Sequence, residues 1–371
     1  MLDLDFTEEQ TMLREMVRGL CADHASLQVV RDLEDDPDGI ARPLWEQLGQ
    51  LGICGLMLPE SHGGSAMSLQ EGVIVYEELG RSLAPVPHFV SCVLSAGAIQ
   101  AGGVDSHADL LGQIASGSTI VTPAWLEPGN GFGPRGVQLS AQSEGNTFVL
   151  NGSKMHVYFA AAAEYLVVLA RTGDADTDIG LFVVPTSAAG ISLHQRMSIS
   201  SDTQYLVEFE NVEVPAADRL DGGWTMWQRV MSEAVILAAA LANGGTEYAL
   251  EITADYAKER KQFNKALAEF QSISHYLADA KTDLDGAKML TYEAAWAHSV
   301  GKDISRLAPM TKAFSGRVFR DTTAMAQQVF GGIGFTLEYD IQLYFRRAKQ
   351  QQLSWWDKAT CEAKIADAVL G

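Results

Sequence analysis

Apolar positions along the chain change their period twice. From 6 to about 117 they recur at helical steps, and Leu13, Met16, Val17 and Leu20 mark one buried helix face. Thr7-Glu8-Glu9-Gln10, just ahead, has the form of a capping box, with a hydroxyl at the cap and an amide three residues on. Pro43-Leu44-Trp45-Glu46-Gln47-Leu48 opens another helix with proline in its first turn. Pro59-Glu60-Ser61-His62-Gly63-Gly64 reads as a loop, and 69–83 as helical again. Between about 119 and 223 short β-rich runs (147–151, 165–170, 181–185, 205–209) alternate with Gly, Asp, Ser and Asn turns, which predicts an antiparallel barrel or sandwich. From 224 onward long helices return over 226–260, 270–300 and 304–330, followed by a shorter one. The first of these is apolar on nearly every side through 235–242, so it is expected to be buried among other helices. The predicted order is a helical domain over 1–118, a β-domain over 119–223 and a helical bundle over 224–371.

Composition narrows the function classes. With 371 residues, 47% hydrophobic and 20% charged, there is apolar material for a sizeable core. Lys and Arg number 27 against 47 Asp and Glu, a net charge of −20 that repels phosphate backbones and argues against nucleic acid. The longest charge-free apolar run, 234–242, is far short of the roughly 20 residues of a membrane span. Met1-Leu2-Asp3-Leu4-Asp5 lacks the basic-then-apolar order of a signal peptide, so a cytoplasmic location is expected. Cys21, Cys54, Cys92 and Cys361 lie far apart with no C-x-x-C pair, the pattern of isolated core thiols. Asp174-Ala175-Asp176-Thr177-Asp178 starts like a calcium loop, but Ile179 and Pro185 stand where glycine and glutamate belong, leaving a solvated turn.

No H-E-x-x-H, P-loop, G-x-S-x-G or G-x-G-x-x-G after a strand occurs, and the eight histidines form no cluster. Two segments remain. Tyr256-Ala257-Lys258-Glu259-Arg260-Lys261-Gln262-Phe263 is a basic cluster in an acidic chain. It is either a set of cations paired with a helix C-terminal dipole or a pyrophosphate clamp beside a ring that lies against a planar ligand. Gln328-Val329-Phe330-Gly331-Gly332-Ile333-Gly334-Phe335 is either a glycine C-cap or a place where a phosphate or ribose approaches the backbone.

Taken together, the motifs resemble the acyl-CoA dehydrogenases, flavoproteins that oxidise acyl-CoA thioesters to 2-enoyl-CoA. The resemblance rests on six segments in order: Leu58-Pro59-Glu60-Ser61-His62-Gly63-Gly64, Leu150-Asn151-Gly152-Ser153-Lys154-Met155, Val207-Glu208-Phe209-Glu210-Asn211-Val212-Glu213-Val214-Pro215, Arg260-Lys261-Gln262-Phe263, Phe270-Gln271, and 328–334. It implies an α+β multidomain fold: an N-terminal helical domain, a middle antiparallel β-barrel and a C-terminal four-helix bundle that clasp FAD and the thioester. It also implies that Arg260 and Phe263 reach the flavin cofactor of a neighbouring subunit, with Gln271, Gln328, Gly331, Gly332 and Gly334 completing the contact. The expected assembly is a hetero- or homotetramer of related chains, working with an electron-transfer flavoprotein-type acceptor.

The departures are as informative. Where the family presents a Thr-Glu-Pro-Gly turn leading to a flavin-touching serine, this chain reads Leu126-Glu127-Pro128-Gly129-Asn130-Gly131-Phe132. The family's Trp-Ile-Thr becomes His156-Val157-Tyr158, in which Tyr158 partly replaces the lost hydroxyl and His156 is expected to be a barrel residue. Most relatives carry a glutamate base before the last helix, but Leu353-Ser354-Trp355-Trp356-Asp357 has Trp355 there, with no proton-accepting group. A minority place the glutamate on the first bundle helix, where this chain has Ala234 with Glu233 one residue earlier, a rotation of roughly 100°. Glu233 is therefore the candidate base, with a surface pair to Arg229 four residues before it as the alternative. Asp357 is a fallback base or a helix N-cap. Loss of the chain's own flavin and base groups beside retention of the neighbour-facing ones points to a heteromeric dehydrogenase whose partner supplies the base. A self-sufficient homotetramer using Glu233, and a non-enzymatic relative that binds an acyl-CoA or a partner, stay open.

Overall fold

The computed structural model describes residues 6–103, 106–200 and 202–371. The acidic start at 1–5 lies outside them. The N-terminal part holds α1 (Glu8–His24), α2 (Leu27–Asp32), α3 (Arg42–Gln50), α4 (Leu69–Arg81), α5 (Ala96–Gly102) and α6 (Ala108–Ala115). A π-helical stretch, Phe89–Ser95, runs directly into α5. The Thr7 box forms as expected: Thr7 Oγ1 accepts from the Gln10 N–H and the Gln10 side chain accepts from the Thr7 N–H, both at 3.2 Å. Pro43 sits in the first turn of α3.

The middle part contains β1 (Val121–Ala124), β2 (Ser140–Glu144), β3 (Thr147–Tyr158), β4 (Tyr165–Arg171), β5 (Ile179–Pro185), β6 (Ile191–Arg196), β7 (Gln204–Pro215) and β8 (Arg219–Leu220). They form one sheet in the order β6-β7-β3-β2-β4-β5-β8, with β1 parallel on β4. The expected closed barrel is thus corrected to an open sheet. Its two ends, β6 and β8, do not pair, and β2 meets β4 at the single position Ser140–Arg171, so the sheet is splayed in its middle. Closure depends on how the outermost strands meet, which local alternation does not encode. Leu150, Leu166, Val168, Phe182, Val207 and Phe209 fill the interior of the module.

The C-terminal part holds α7 (Gly223–Glu259), a hairpin of β9 (Lys261–Gln262) and β10 (Lys265–Ala266), then α8 (Gln271–Ser299), α9 (Leu307–Phe330), α10 (Ile341–Leu353) and α11 (Lys358–Leu370). Helix α7 is buried through 234–240, as its all-round apolar sequence requires. It crosses α4 with backbones nearly touching: a Cβ on Gly80 would lie 2.1 Å from the Leu241 carbonyl oxygen, and one on Gly244 would lie 1.8 Å from that of Glu77. Only glycine permits this approach. Glu77 and Glu78, buried on α4, pair with Arg14 at 3.0 Å and Arg18 at 2.8 Å and so hold α1 onto the bundle. All four cysteines are buried and unpaired. Among the described residues no helix is long and apolar enough to cross a membrane, and no His, Cys, Asp and Glu cluster could hold a metal ion.

Candidate functional site

The loop after β1, the end of β3 and the turn after α10 converge on one cleft of about 440 Å³, bordered by Phe132, Met155, His156, Tyr158, Leu353 and Trp355. Its loop is held from below. Glu127 Oε1 accepts from the Lys154 ammonium at 2.7 Å and from the Gln138 and Leu139 N–H groups at 2.8 and 2.9 Å. Burial lowers the Lys154 pKa to about 8 against the opposing pull of Glu127. His156, at φ +55°, turns its Nδ1 to Gln204 Oε1 at 2.8 Å, which gives it a structural partner within the sheet.

Trp355 dominates the cleft. It is only 8% exposed. Its ring stacks on Tyr158 at 5.1 Å and 29°, and meets Phe89 of the π-helical stretch at 5.0 Å. Both Trp355 and the next residue, Trp356, have left-handed backbones at φ +55° and +75°, an uncommon and strained choice for bulky residues. The Tyr158 hydroxyl accepts from Gln350 Nε2 at 2.8 Å and lies 3.2 Å from Ser354 Oγ. Burial, reinforced by the Asp202 charge, holds the Tyr158 pKa well above its ordinary value, so the phenol stays protonated.

The carboxylates bordering the cavities around Trp355 are Glu127 and Asp202. Both are saturated. Asp202 accepts from Ser198, Ser200 and Gln204 on one oxygen and from Gln350 on the other, all within 3.1 Å. Their lone pairs are therefore already engaged within the chain. Asp357 accepts from the Thr360 N–H at 2.9 Å as the N-cap of α11.

Glu233 stands elsewhere. It faces a separate cleft of about 330 Å³ with Arg229, His298, Val93 and Gln100, which shares no bordering residue with the cavities around Trp355. The side chain within ion-pair distance of it is His298, at 3.5 Å, and not the expected Arg229, because α8 brings the imidazole alongside. Ala234 is fully buried.

The other predicted residues gather at the far end of the bundle. Arg260 is the exposed C-cap of α7, and among the described residues its side chain has no hydrogen-bond or ion-pair partner. Phe263 is 88% exposed at φ +52°, and Gln271 is the exposed first residue of α8. Gln328 is exposed on the last turn of α9. The Tyr256 and Phe330 rings, stacked at 4.4 Å and 15°, tie the two groups together, four residues before Arg260 and two after Gln328.

The glycines separate by role. Gly334 is required internally, since a Cβ would lie 2.7 Å from Gln327 Oε1. Gly331 needs its backbone, at φ +67° and ψ −142°. Gly332 has neither a positive φ nor any atom within 4 Å of a Cβ, so nothing inside the chain requires glycine there. An unpartnered guanidinium, an exposed ring and an open glycine backbone make a donor set for a phosphate-bearing planar ligand arriving from outside. The inner cleft fits an isoalloxazine poorly, because the hydroxyls that border it, those of Tyr158, Ser198 and Ser354, are each already engaged with Gln350. Asp202, Gln350 and Phe89 escape sequence reasoning, for the contacts that bring them to the cleft, Asp202 with Gln350 and Phe89 with Trp355, join residues distant along the chain.

Three family models match: "Acyl-CoA dehydrogenase, N-terminal domain" over 7–118, its middle domain over 123–212 and its C-terminal domain over 221–354. The probable acyl-CoA dehydrogenase YngJ of Bacillus subtilis is 29% identical over 366 residues, 95% of each chain. The butyryl-CoA dehydrogenase structure from Megasphaera elsdenii superposes with a TM-score of 0.91 at 26% identity, covering all of both chains. A chain of the ChsE4–ChsE5 complex from Mycobacterium tuberculosis gives 0.90 at 25%, covering all of this chain and 99% of that one.

Proposed function

The chain belongs to the acyl-CoA dehydrogenase family, whose members are FAD flavoproteins, and on that premise we propose that it serves the α,β-dehydrogenation of an acyl-CoA thioester as one chain of a heteromeric complex. The observation that carries the reading is Trp355, buried and stacked on Tyr158 where most relatives have their base. When bound, FAD supplies the acceptor for the hydride from C3 of the thioester. Removal of the C2 proton needs a free carboxylate beside that carbon. The two carboxylates near Trp355 are saturated with donors, and Glu233 opens onto another cleft. The base and the main flavin bed therefore come from a related partner chain. This chain lays Arg260, Phe263, Gln271, Gln328, Gly331 and Gly332 over the partner's dinucleotide, with Gly334 shaping the turn that carries the last two. The solved ChsE4–ChsE5 complex is a precedent for two such named chains together. Electrons leave to an electron-transfer flavoprotein-type acceptor.

Purification of the chain alone, and with a co-expressed related chain, tests this reading. The expected result is colourless, inactive protein alone, and a yellow, active complex with one flavin for each pair of unlike chains. An active assembly of this chain alone, carrying one flavin per chain, refutes it.

A further inference from the structure

Another cavity, of about 360 Å³, lies between α9 and α11, away from the Trp355 cleft. At its floor is Lys312, 4% exposed. The ammonium donates to the Gln351 carbonyl at 2.8 Å, its one hydrogen bond among the described residues, although three donors are available. A buried ammonium left short of acceptors is costly unless something supplies them. Gly316 lies beside the amine, where a Cβ would come 3.9 Å from Lys312 Nζ.

The rim repeats the charge. Arg317, Arg320 and Lys358 border the cavity against the single acid Glu362, in a chain of net charge −20. Arg317 and Lys358 are only loosely paired, at 4.0 Å from Asp283 and 3.4 Å from Glu362. Arg320 pairs with the adjacent Asp321. Two aromatic residues, Phe314 and the buried Trp356, are among its lining residues. The Lys364 ammonium lies 4.3 Å from the Trp356 ring centroid. We infer that this cavity is a binding site for a small planar organic anion, whose carboxylate reaches Lys312 and whose ring lies against Trp356. Burial lowers the Lys312 pKa to about 8, with Asp357 pulling the other way, and an anion would oppose that shift. None of these groups serves the chemistry proposed above. The Gln351 carbonyl lies four residues before Trp355, so an anion that draws the amine aside acts on the turn presenting that ring.

Benzoate and its uncharged analogue benzyl alcohol are the probes, titrated into the full chain by calorimetry and saturation-transfer NMR. Benzoate is expected to saturate at one per chain, with benzyl alcohol and the Lys312→Met variant each about tenfold weaker or worse, as loss of a charged hydrogen bond predicts. Unsaturable benzoate uptake, equal binding of benzyl alcohol, or an unchanged Lys312→Met variant overturns the site. Should Lys312→Met fail to fold, the double variant Arg317→Ala/Lys358→Ala, at exposed positions, decides. Reduced benzoate affinity supports the site and unchanged affinity overturns it.

Discussion

Replacing Trp355 separates packing from backbone strain. The ring is almost wholly buried between Tyr158 and Phe89. Trp355→Ala removes it and leaves a cavity, a loss of about 3–5 kcal/mol for a buried aromatic. The alanine must still hold φ +55°, a conformation that costs an L-residue about 1–2 kcal/mol relative to glycine. Trp355→Gly makes the same cavity but relieves the strain, and gives back part of that gain through the freedom of the unfolded glycine. The glycine variant is therefore expected to be the more stable of the two by about 1 kcal/mol. Urea midpoints of both variants in one buffer check this, since any coupling between domains is common to them. A glycine variant no better than the alanine variant shows that the left-handed turn is not held, and removes the strained plug from the argument. The same proteins, co-purified with a partner, carry a functional readout: a widened cleft lets flavin per chain rise only if Trp355 is what excludes it.

The remaining expectations concern sites on both faces. Glu233→Gln leaves turnover of the complex unchanged, because its cleft is separate from that of Trp355; abolished turnover with an intact fold restores the homotetramer reading. Gly332→Ala leaves the melting temperature unchanged while lowering flavin retention in the complex, whereas Gly334→Ala destabilises the chain itself through its contact with Gln327. Arg260→Ala changes stability by less than about 0.5 kcal/mol, as expected of an unpartnered exposed side chain, yet costs flavin, read by absorbance per chain. Glu127→Leu leaves the Lys154 ammonium buried and unpaired and costs about 3–5 kcal/mol in denaturant unfolding. Lys154 also sets a pH dependence. Its pKa is about 8 when folded against the ordinary 10.5, so between those values the unfolded chain binds more protons and stability rises with pH. A Lys154→Met variant rises less steeply over that window, and an equal slope refutes the assignment.

What the sequence reveals and hides divides along physical lines. Thr7, Pro43 and Asp357 act on backbone groups within a turn of themselves, so their caps are readable from spacing. The all-round apolar run in α7 is equally local, since burial follows from composition alone. The Tyr158–Trp355 stack joins residues almost two hundred positions apart, and no periodicity announces it. Glu233 shows the same limit: four-residue spacing favours Arg229, but the neighbour comes from α8. The open sheet and the π-helical stretch at Phe89–Ser95 likewise depend on what packs against them.

Helix α7 is a single unbroken rod of 37 residues, about 55 Å at 1.5 Å per residue. It begins at two left-handed glycines, Gly222 and Gly223, and ends at Arg260. Arg260 lies 16 residues, about 24 Å, beyond the contact of Gly244 with Glu77, so a tilt of about 2° about that contact swings the guanidinium by about 0.8 Å, more than the roughly 0.5 Å spread of hydrogen-bond lengths. The seat of α4 on α7, with Gly80 against Leu241 and Gly244 against Glu77, is thus the fulcrum of a lever, and changes in how the first domain docks are carried to the tip that would grip another polypeptide's cofactor.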